Sequence, residues 1–365
     1  MKKYILLIIA AITVSFFPQQ INAEEDSLSL DSETAILIDA KTGKVLYEKD
    51  SRKIMYPASI TKIITGIIAI EKGNLNEMVT VSSNARNVSG TTVYLLEGEQ
   101  VPLKKLIQGM IINSGNDAAV AIAEHIAGDV ESFSAMMNDF VVNKVGVTKS
   151  HFVNPHGLFN INHYTTAYDM AKIAKYAMKN QIFKEIASTK TLEWKGKGWE
   201  TTLINHNKMF WRYEGVTGIK SGWVGQSGYT LVTSAERKGT SLIAVVLNSQ
   251  TAERSYSDAV KLFNYGFENF ETSLIAKGST FQSAGRQYTL PKDYHFTKPK
   301  HATITKEVTR SGALLLKAYP ETLDKIKLIP LAQGRTLPKS LSTTYSQSVQ
   351  TDTYFHWLAD LFTSQ

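Results

Sequence analysis

The chain has 365 residues, 43% of them hydrophobic and 20% charged, with a formal net charge of +7. That length suggests two domains with room for a substantial core, and the composition excludes a mainly disordered chain. Cysteine is absent, which excludes disulfides, thiolate metal sites and a cysteine nucleophile, so nucleophilic chemistry must come from oxygen or amine.

In chain order, Lys2 and Lys3 precede an apolar run from Tyr4 to Phe17, and Ile21-Asn22-Ala23 resembles a signal-peptidase site. The run is shorter than the ~18–20 residues a bilayer span needs, so residues 1–23 read as a signal peptide and the protein as exported. Thr34–Asp39 and Lys44–Tyr47 are β-rich runs joined through Ala40-Lys41-Thr42-Gly43, the pattern of a hairpin. Ala58–Ile70 follows Pro57 and is apolar on nearly every side, as a buried helix is. Val79-Thr80-Val81 is strand-like, and Ser82-Ser83-Asn84 reads as its polar end. Leu103–Ile126 has helical periodicity broken by the polar loop Asn113-Ser114-Gly115-Asn116.

Thr166–Met178 is an amphipathic helix. Tyr229–Ala235 and Ser241–Asn248 read as paired strands, and a helix from about Ser257 to Phe270 closes the region. Strands at both ends with helices between them indicate an α+β architecture with an antiparallel sheet over residues 24–271. Residues 272–341 differ in texture: proline becomes frequent and short runs such as Ala313–Tyr319 and Lys325–Leu331 favour strands, so a small all-β domain is expected there. Residues 342–365 read as a linker and a terminal amphipathic helix, with Tyr354, Trp357, Leu358, Leu361 and Phe362 on one face for membrane-surface contact. The charge is uneven too. From Glu271 onward 12 Lys/Arg stand against 7 Asp/Glu, a basic excess suited to anionic wall polymers, lipid headgroups or plain solvation. Export and the neutral larger part exclude nucleic acid as a partner.

Three short motifs carry chemistry. Ser59-Ile60-Thr61-Lys62 is the one S-x-x-K in the chain, and i and i+3 share a helix face, so Lys62 can reach the Ser59 hydroxyl. A lysine desolvated in apolar surroundings loses its charge readily and can serve as the base that activates serine. Ser114-Gly115-Asn116 offers a second hydroxyl for proton relay and an amide for a peptide carbonyl. Lys220-Ser221-Gly222, just before the paired strands, can hold a carboxylate by charge and hydroxyl, with glycine allowing close backbone approach. Lys41-Thr42-Gly43 is a formal rival that lies in the expected hairpin turn. No histidine pair stands at metal-site spacing beside a carboxylate.

S-x-x-K, S-D-N and K-T-G are the known signature set of penicillin-binding proteins and class A β-lactamases, and the three motifs here follow it in order with Gly115 in place of Asp and Ser221 in place of Thr. With Pro57-Ala58, Asp117-Ala118-Ala119, Asn154-Pro155-His156-Gly157-Leu158 and Gly218-Ile219 around them, the chain resembles the serine D-alanyl-D-alanine carboxypeptidases. The resemblance implies a β-lactamase/penicillin-binding-protein-like transpeptidase fold followed by a small all-β domain. By position it implies Ser59 as nucleophile, Lys62 as base, Ser114 as relay and Asn116 as carbonyl contact. Lys220 and Ser221 would bind the terminal carboxylate, with Gly222 a substrate-binding position beside them, and the N–H groups of Ser59 and Trp223 would form the oxyanion hole. The implied partners are peptidoglycan stem peptides ending in D-Ala-D-Ala and, as covalent inhibitors, β-lactams, with no cofactor and a location in the wall or on the outer face of the membrane.

There are departures. Ser221 replaces the usual threonine, His206 stands where some relatives have arginine, and Arg254 matches a carboxylate-binding arginine only with a one-residue offset. His156 reads as a structural loop residue. A β-lactamase is one alternative, but no glutamate between the second and third motifs has asparagine four residues on. A catalytically silent wall-binding protein is the other, and retention of Ser59, Lys62, Ser114, Asn116 and Lys220 speaks against it.

Overall fold

The computed structural model describes residues 28–318 and 321–331. Residues 1–23, the linker after 341 and the terminal amphipathic segment lie outside them. Five strands form the central antiparallel sheet: β1 (Thr34–Asp39), β2 (Val45–Lys49), β3 (Val216–Val224), β4 (Gly228–Arg237) and β5 (Thr240–Ser249). Their order is β2-β1-β5-β4-β3. The edges are β2 and β3: β1 lies inside, pairing Ile36 with Val245 of β5, and β3 pairs Gly222 with Thr230 of β4.

Alternation along the strands serves two cores at once. Ile36, Ile38, Val232, Ile243 and Val245 join the large helical core, while Ala35, Leu37, Leu231, Leu242, Ala244 and Val246 face the other way. With both faces covered, β1 is buried throughout and reads as an apolar run. The second face is covered by the C-terminal helix of this region, α5 (Ala252–Asn269), through Tyr256, Ala259, Leu262, Phe263 and Phe267.

On the first face lie α1 (Lys62–Lys72), α2 (Leu103–Ile112), α3 (Asn116–Ala127) and α4 (Ala167–Ala177). Every residue of α1 from Lys62 to Ala69 is buried, so this helix is central and a lysine at its start needs polar partners. A 3-10 turn, Ala58–Thr61, leads into it.

Several local expectations are corrected. The helix α5 begins at Ala252, not near Ser257, because the Thr251 hydroxyl accepts the Arg254 N–H and caps it there. Ser82-Ser83-Asn84 is no strand end: the Ser82 hydroxyl accepts the Ala85 N–H and starts a short helix, Ser83–Arg86. Lys220-Ser221-Gly222 lies within edge strand β3 instead of ahead of the paired strands. A helix at Val130–Phe140 and a hairpin of Thr191–Lys195 with Glu200–Ile204 were not anticipated.

After α5 the described residues form only β-strands and their connections. Phe270–Ile275 pairs with Tyr294–Pro299, and two three-stranded sheets follow. One contains Ala313–Ala318 beside Glu321–Lys327, and the expected strand Lys325–Leu331 is divided between two sheets at Leu328. Ile275, Tyr288, Leu290, Phe296, Leu314, Leu316, Ile326 and Leu328 form a core of their own. The buried carboxylate of Asp39 ties this region to the first hairpin. It accepts the Lys41 and Thr42 N–H groups on one oxygen and the Thr272 and Thr297 hydroxyls on the other.

Candidate active site

Three elements converge where the 3-10 turn becomes α1. Ser59 is half-buried there, one turn before fully buried Lys62. The Lys62 Nζ lies 3.1 Å from Ser59 Oγ, 2.7 Å from Asn116 Oδ1 and 2.7 Å from the His156 carbonyl oxygen. Burial pushes the Lys62 pKa well below its ordinary range, and the charge of Lys220 adds to this while Asp117 opposes it. A neutral amine has two N–H bonds and one lone pair. The two carbonyl oxygens can only accept, so they take the N–H bonds, and the lone pair is left for Ser59. The arrangement can therefore accept the proton of the serine hydroxyl.

The turn bearing Ser59 is braced on each side. Ala58 has φ +50°, a left-handed conformation that needs support in a non-glycine residue. The Thr61 hydroxyl donates to the Ala58 carbonyl at 2.8 Å. Behind it, the Val153 N–H donates to His163 Nδ1, so Nε2 carries the proton and donates to Thr61 Oγ1 at 2.8 Å. Burial pushes the His163 pKa down to about 3, with His151 and Lys62 contributing, and keeps the ring neutral. The Thr230 hydroxyl of β4 donates to the Pro57 carbonyl at 2.9 Å.

Asn116 is the first residue of α3, and its amide serves two neighbours. Oδ1 accepts from Lys62 and Nδ2 donates to the Ser89 carbonyl at 2.6 Å, which leaves one N–H of the amide. The adjoining Asp117 is buried and accepts from the Val93 and Leu95 N–H groups, holding the segment before α2 over the start of α3. Ser114, in the turn between α2 and α3, is buried with φ +65°. Its hydroxyl has no hydrogen-bond partner among the described residues.

Strand β3 supplies the third wall. A Cβ on Gly222 would lie 2.6 Å from Ser59 N and 2.8 Å from Thr230 Oγ1, so only glycine lets the strand run this close to the serine. Buried Lys220 donates to the Ser221 carbonyl at 2.7 Å, and burial pushes its pKa down to about 7. Burial followed by the charge of Lys220 pushes His206 down to about 4, and the His206 N–H donates to the Ile112 carbonyl at the end of α2. Ser221 is half-buried and Trp223 is exposed beside Tyr229.

Ser59, Lys62, Asn116, Lys220 and Gly222 thus lie around one turn. Arg254 does not join them: on the first turn of α5, its guanidinium is engaged by Gln250 and Asp31. The loop Asn154–Leu158, read as structural, does more. Its His156 carbonyl is a direct Lys62 partner, and a Cβ on Gly157 would fall 1.9 Å from the Ala58 carbonyl oxygen. The Pro-His-Gly run flagged the loop, but nothing in it pointed to a carbonyl contact. Among the described residues, no group of three or more His, Asp or Glu could hold a metal, and no helix is long and apolar enough to cross a membrane.

A family profile described as D-alanyl-D-alanine carboxypeptidase matches residues 19–251. The D-alanyl-D-alanine carboxypeptidase DacF of Bacillus subtilis is 34% identical over 269 residues, which are 72% of this chain and 69% of that protein. Penicillin binding protein 5 from Haemophilus influenzae superposes with a TM-score of 0.75 at 28% identity, covering 83% of this chain and 97% of its own. A mutant of the Streptomyces K15 DD-transpeptidase superposes with a TM-score of 0.61 at 31% identity, covering 66% of this chain and 98% of its own.

Proposed function

This chain belongs to the D-alanyl-D-alanine carboxypeptidase family and is a serine-type hydrolase with the penicillin-binding-protein fold; from that premise we propose that, once exported, it removes the terminal D-alanine from peptidoglycan stem peptides through an acyl-enzyme on Ser59. The observation that carries the reading is the Lys62 environment, in which two carbonyl oxygens leave the amine lone pair facing the serine.

In this mechanism Ser59 Oγ attacks the carbonyl carbon between the two D-alanines while Lys62 takes its proton. The oxyanion is held by the N–H groups of Ser59 and Trp223. Ser114 passes a proton to the departing amine, and the C–N bond breaks. The Lys220 ammonium and the Ser221 hydroxyl hold the terminal carboxylate, and the remaining amide N–H of Asn116 holds the acyl-side carbonyl. Water then cleaves the ester, releasing the shortened peptide and restoring Ser59.

A β-lactam carries a carboxylate at the matching position, so the same groups should orient it and Ser59 should open its ring. The ring remnant stays attached where D-alanine would have left. Between the second and third motifs no glutamate is followed four residues on by asparagine, the pattern of a dedicated second-step base, so the ester should be long-lived, and that separates this reading from a β-lactamase.

The test is D-alanine release from a pentapeptide ending in D-Ala-D-Ala, together with intact mass after benzylpenicillin. Release and a 1:1 adduct on the peptide containing Ser59, both absent in Ser59→Ala, are expected. Release by Ser59→Ala overturns the nucleophile, and rapid drug destruction without an adduct makes the protein a β-lactamase.

A further inference from the structure

The rival motif Lys41-Thr42-Gly43, which the reaction does not use, opens onto a second feature of the molecule. Thr42 and Gly43 line a cavity of about 350 Å3 between the first hairpin and α4, and Lys144, Lys172, Lys175 and Lys179 line it too. Lys41 lines an adjoining cavity of about 490 Å3 with Lys184, Thr217, Ser234 and Glu236. Lys175 and Lys179 border both, so the two form one continuous trough. None of the chemistry-bearing residues around Ser59 lines either part.

No ion pair among the described residues compensates the lysines of the first cavity. Among the described residues Lys144, Lys172, Lys175 and Lys179 make no ion pair, and no carboxylate lines the first cavity. Lys172 and Lys175 donate only to the Gly146 and Thr42 carbonyls. A Cβ on Gly43 would fall 2.3 Å from Lys175 Nζ, so the glycine turn makes room for that ammonium. The carboxylates near the trough are occupied: Asp39 takes four donors, and Glu236 lies 3.9 Å from Lys184 and accepts the Ser241 hydroxyl. Like charges held together in a concavity concentrate anions there, and lysines bind phosphate as mobile point charges without a fixed fork. That suits a flexible chain whose charges recur along its length better than a single planar carboxylate.

We propose that the trough along α4 and the first hairpin binds a linear polyanion with repeated phosphate groups, at a site separate from the peptidase centre. Held there, an anionic wall polymer would keep the enzyme beside its substrate without entering the reaction.

The probe is short-chain inorganic polyphosphate, titrated into the full mature protein by calorimetry in low and in physiological salt. Lys144→Gln, Lys172→Gln and Lys179→Gln combined should weaken binding at least tenfold and flatten its salt dependence, with unchanged D-alanine release. Lys175 is left intact because it braces the turn. Lys277→Gln, Lys292→Gln and Lys306→Gln combined remove the same charge from exposed positions elsewhere and should leave binding within about twofold. No binding, or equal weakening by both triple variants, overturns the site. So does binding to phosphatidylglycerol vesicles through the α4 lysines with none to polyphosphate, which would assign the trough to a lipid surface.

Discussion

In the proposed mechanism Lys220 and Lys62, two like and equally buried residues, have opposite tasks. Lys62 must be neutral to take a proton, and burial among carbonyl oxygens with Lys220 nearby favours that state. Lys220 must be charged to hold a carboxylate, yet burial has already brought its pKa to about 7. As pH rises through about 7 the free enzyme loses the Lys220 ammonium, so kcat/KM should fall on the alkaline side through KM. As pH falls, protonation of Lys62 removes the base, so kcat/KM should fall there as well. Arginine keeps its charge at any accessible pH. A Lys220→Arg enzyme that retains activity should therefore lose the alkaline limb and keep the acid one, which a kcat/KM profile on the pentapeptide would show. An unchanged alkaline limb would detach that limb from Lys220.

At the scale of elements, the site is an agreement between backbones more than between side chains. Strand β3 approaches the Ser59 turn so closely that Gly222→Ala would drive a Cβ to 2.6 Å from Ser59 N. Ser59 N is backbone, so the edge strand must move by more than a few tenths of an ångström, and the variant should fold with a lowered melting temperature. Its kcat/KM should fall about 100-fold, the usual cost of ångström-scale misplacement. Gly157→Ala is a different case. Its Cβ would meet the Ala58 carbonyl at 1.9 Å, and its φ is +91°. Both partners are backbone, so a loss of about 3–5 kcal/mol in stability is expected by urea unfolding. Normal activity of Gly222→Ala would show that the strand does not set the serine's position.

For the molecule as a whole, the all-β region has its own core and meets the rest through the Thr272 and Thr297 hydroxyls on Asp39, the Thr272 N–H on Thr240 and the Thr42–Thr297 hydroxyl pair, among other contacts. A mature chain ending at Phe270 should stay folded and still be acylated by benzylpenicillin, with a lower melting temperature because Asp39 loses two hydroxyl donors. Failure to fold would make the two regions one cooperative unit. Global stability should also depend on acid. His156 and His163 are both held near 3 by burial, against 6.5 for an ordinary histidine. Below about pH 6.5 the unfolded chain binds protons that the folded one refuses, so stability is full above that pH and is lost as pH falls toward 3. Each ring contributes about 1.4 kcal/mol per pH unit. In His163→Asn the slope of unfolding free energy between pH 6 and 4 should be shallower by about that amount, and an equal slope would show that His163 is not buried neutral.

What the sequence by itself determined was the family and the α+β class, and it singled out Ser59, Lys62 and Lys220 for the roles proposed above. Those signals are local: S-x-x-K works through one helical turn, and apolar periodicity reports which face is buried. Register and close approach depend on partners far apart in sequence. Nothing near Lys62 indicates that its third contact is the carbonyl of His156, or that Gly222 must lie against the Ser59 amide. The helix at Val130–Phe140, capped by the Asp129 side chain that accepts the Ser132 N–H, was not read from the sequence. Arg254 was weighed by its spacing, whereas its position on the first turn of α5, beside Gln250 and Asp31, was decided by where Thr251 caps the helix. The lysine trough could not be foreseen either. Its charges come from the first hairpin, α4 and the segments around residues 144 and 184, and only the packing of α4 against the sheet brings them together.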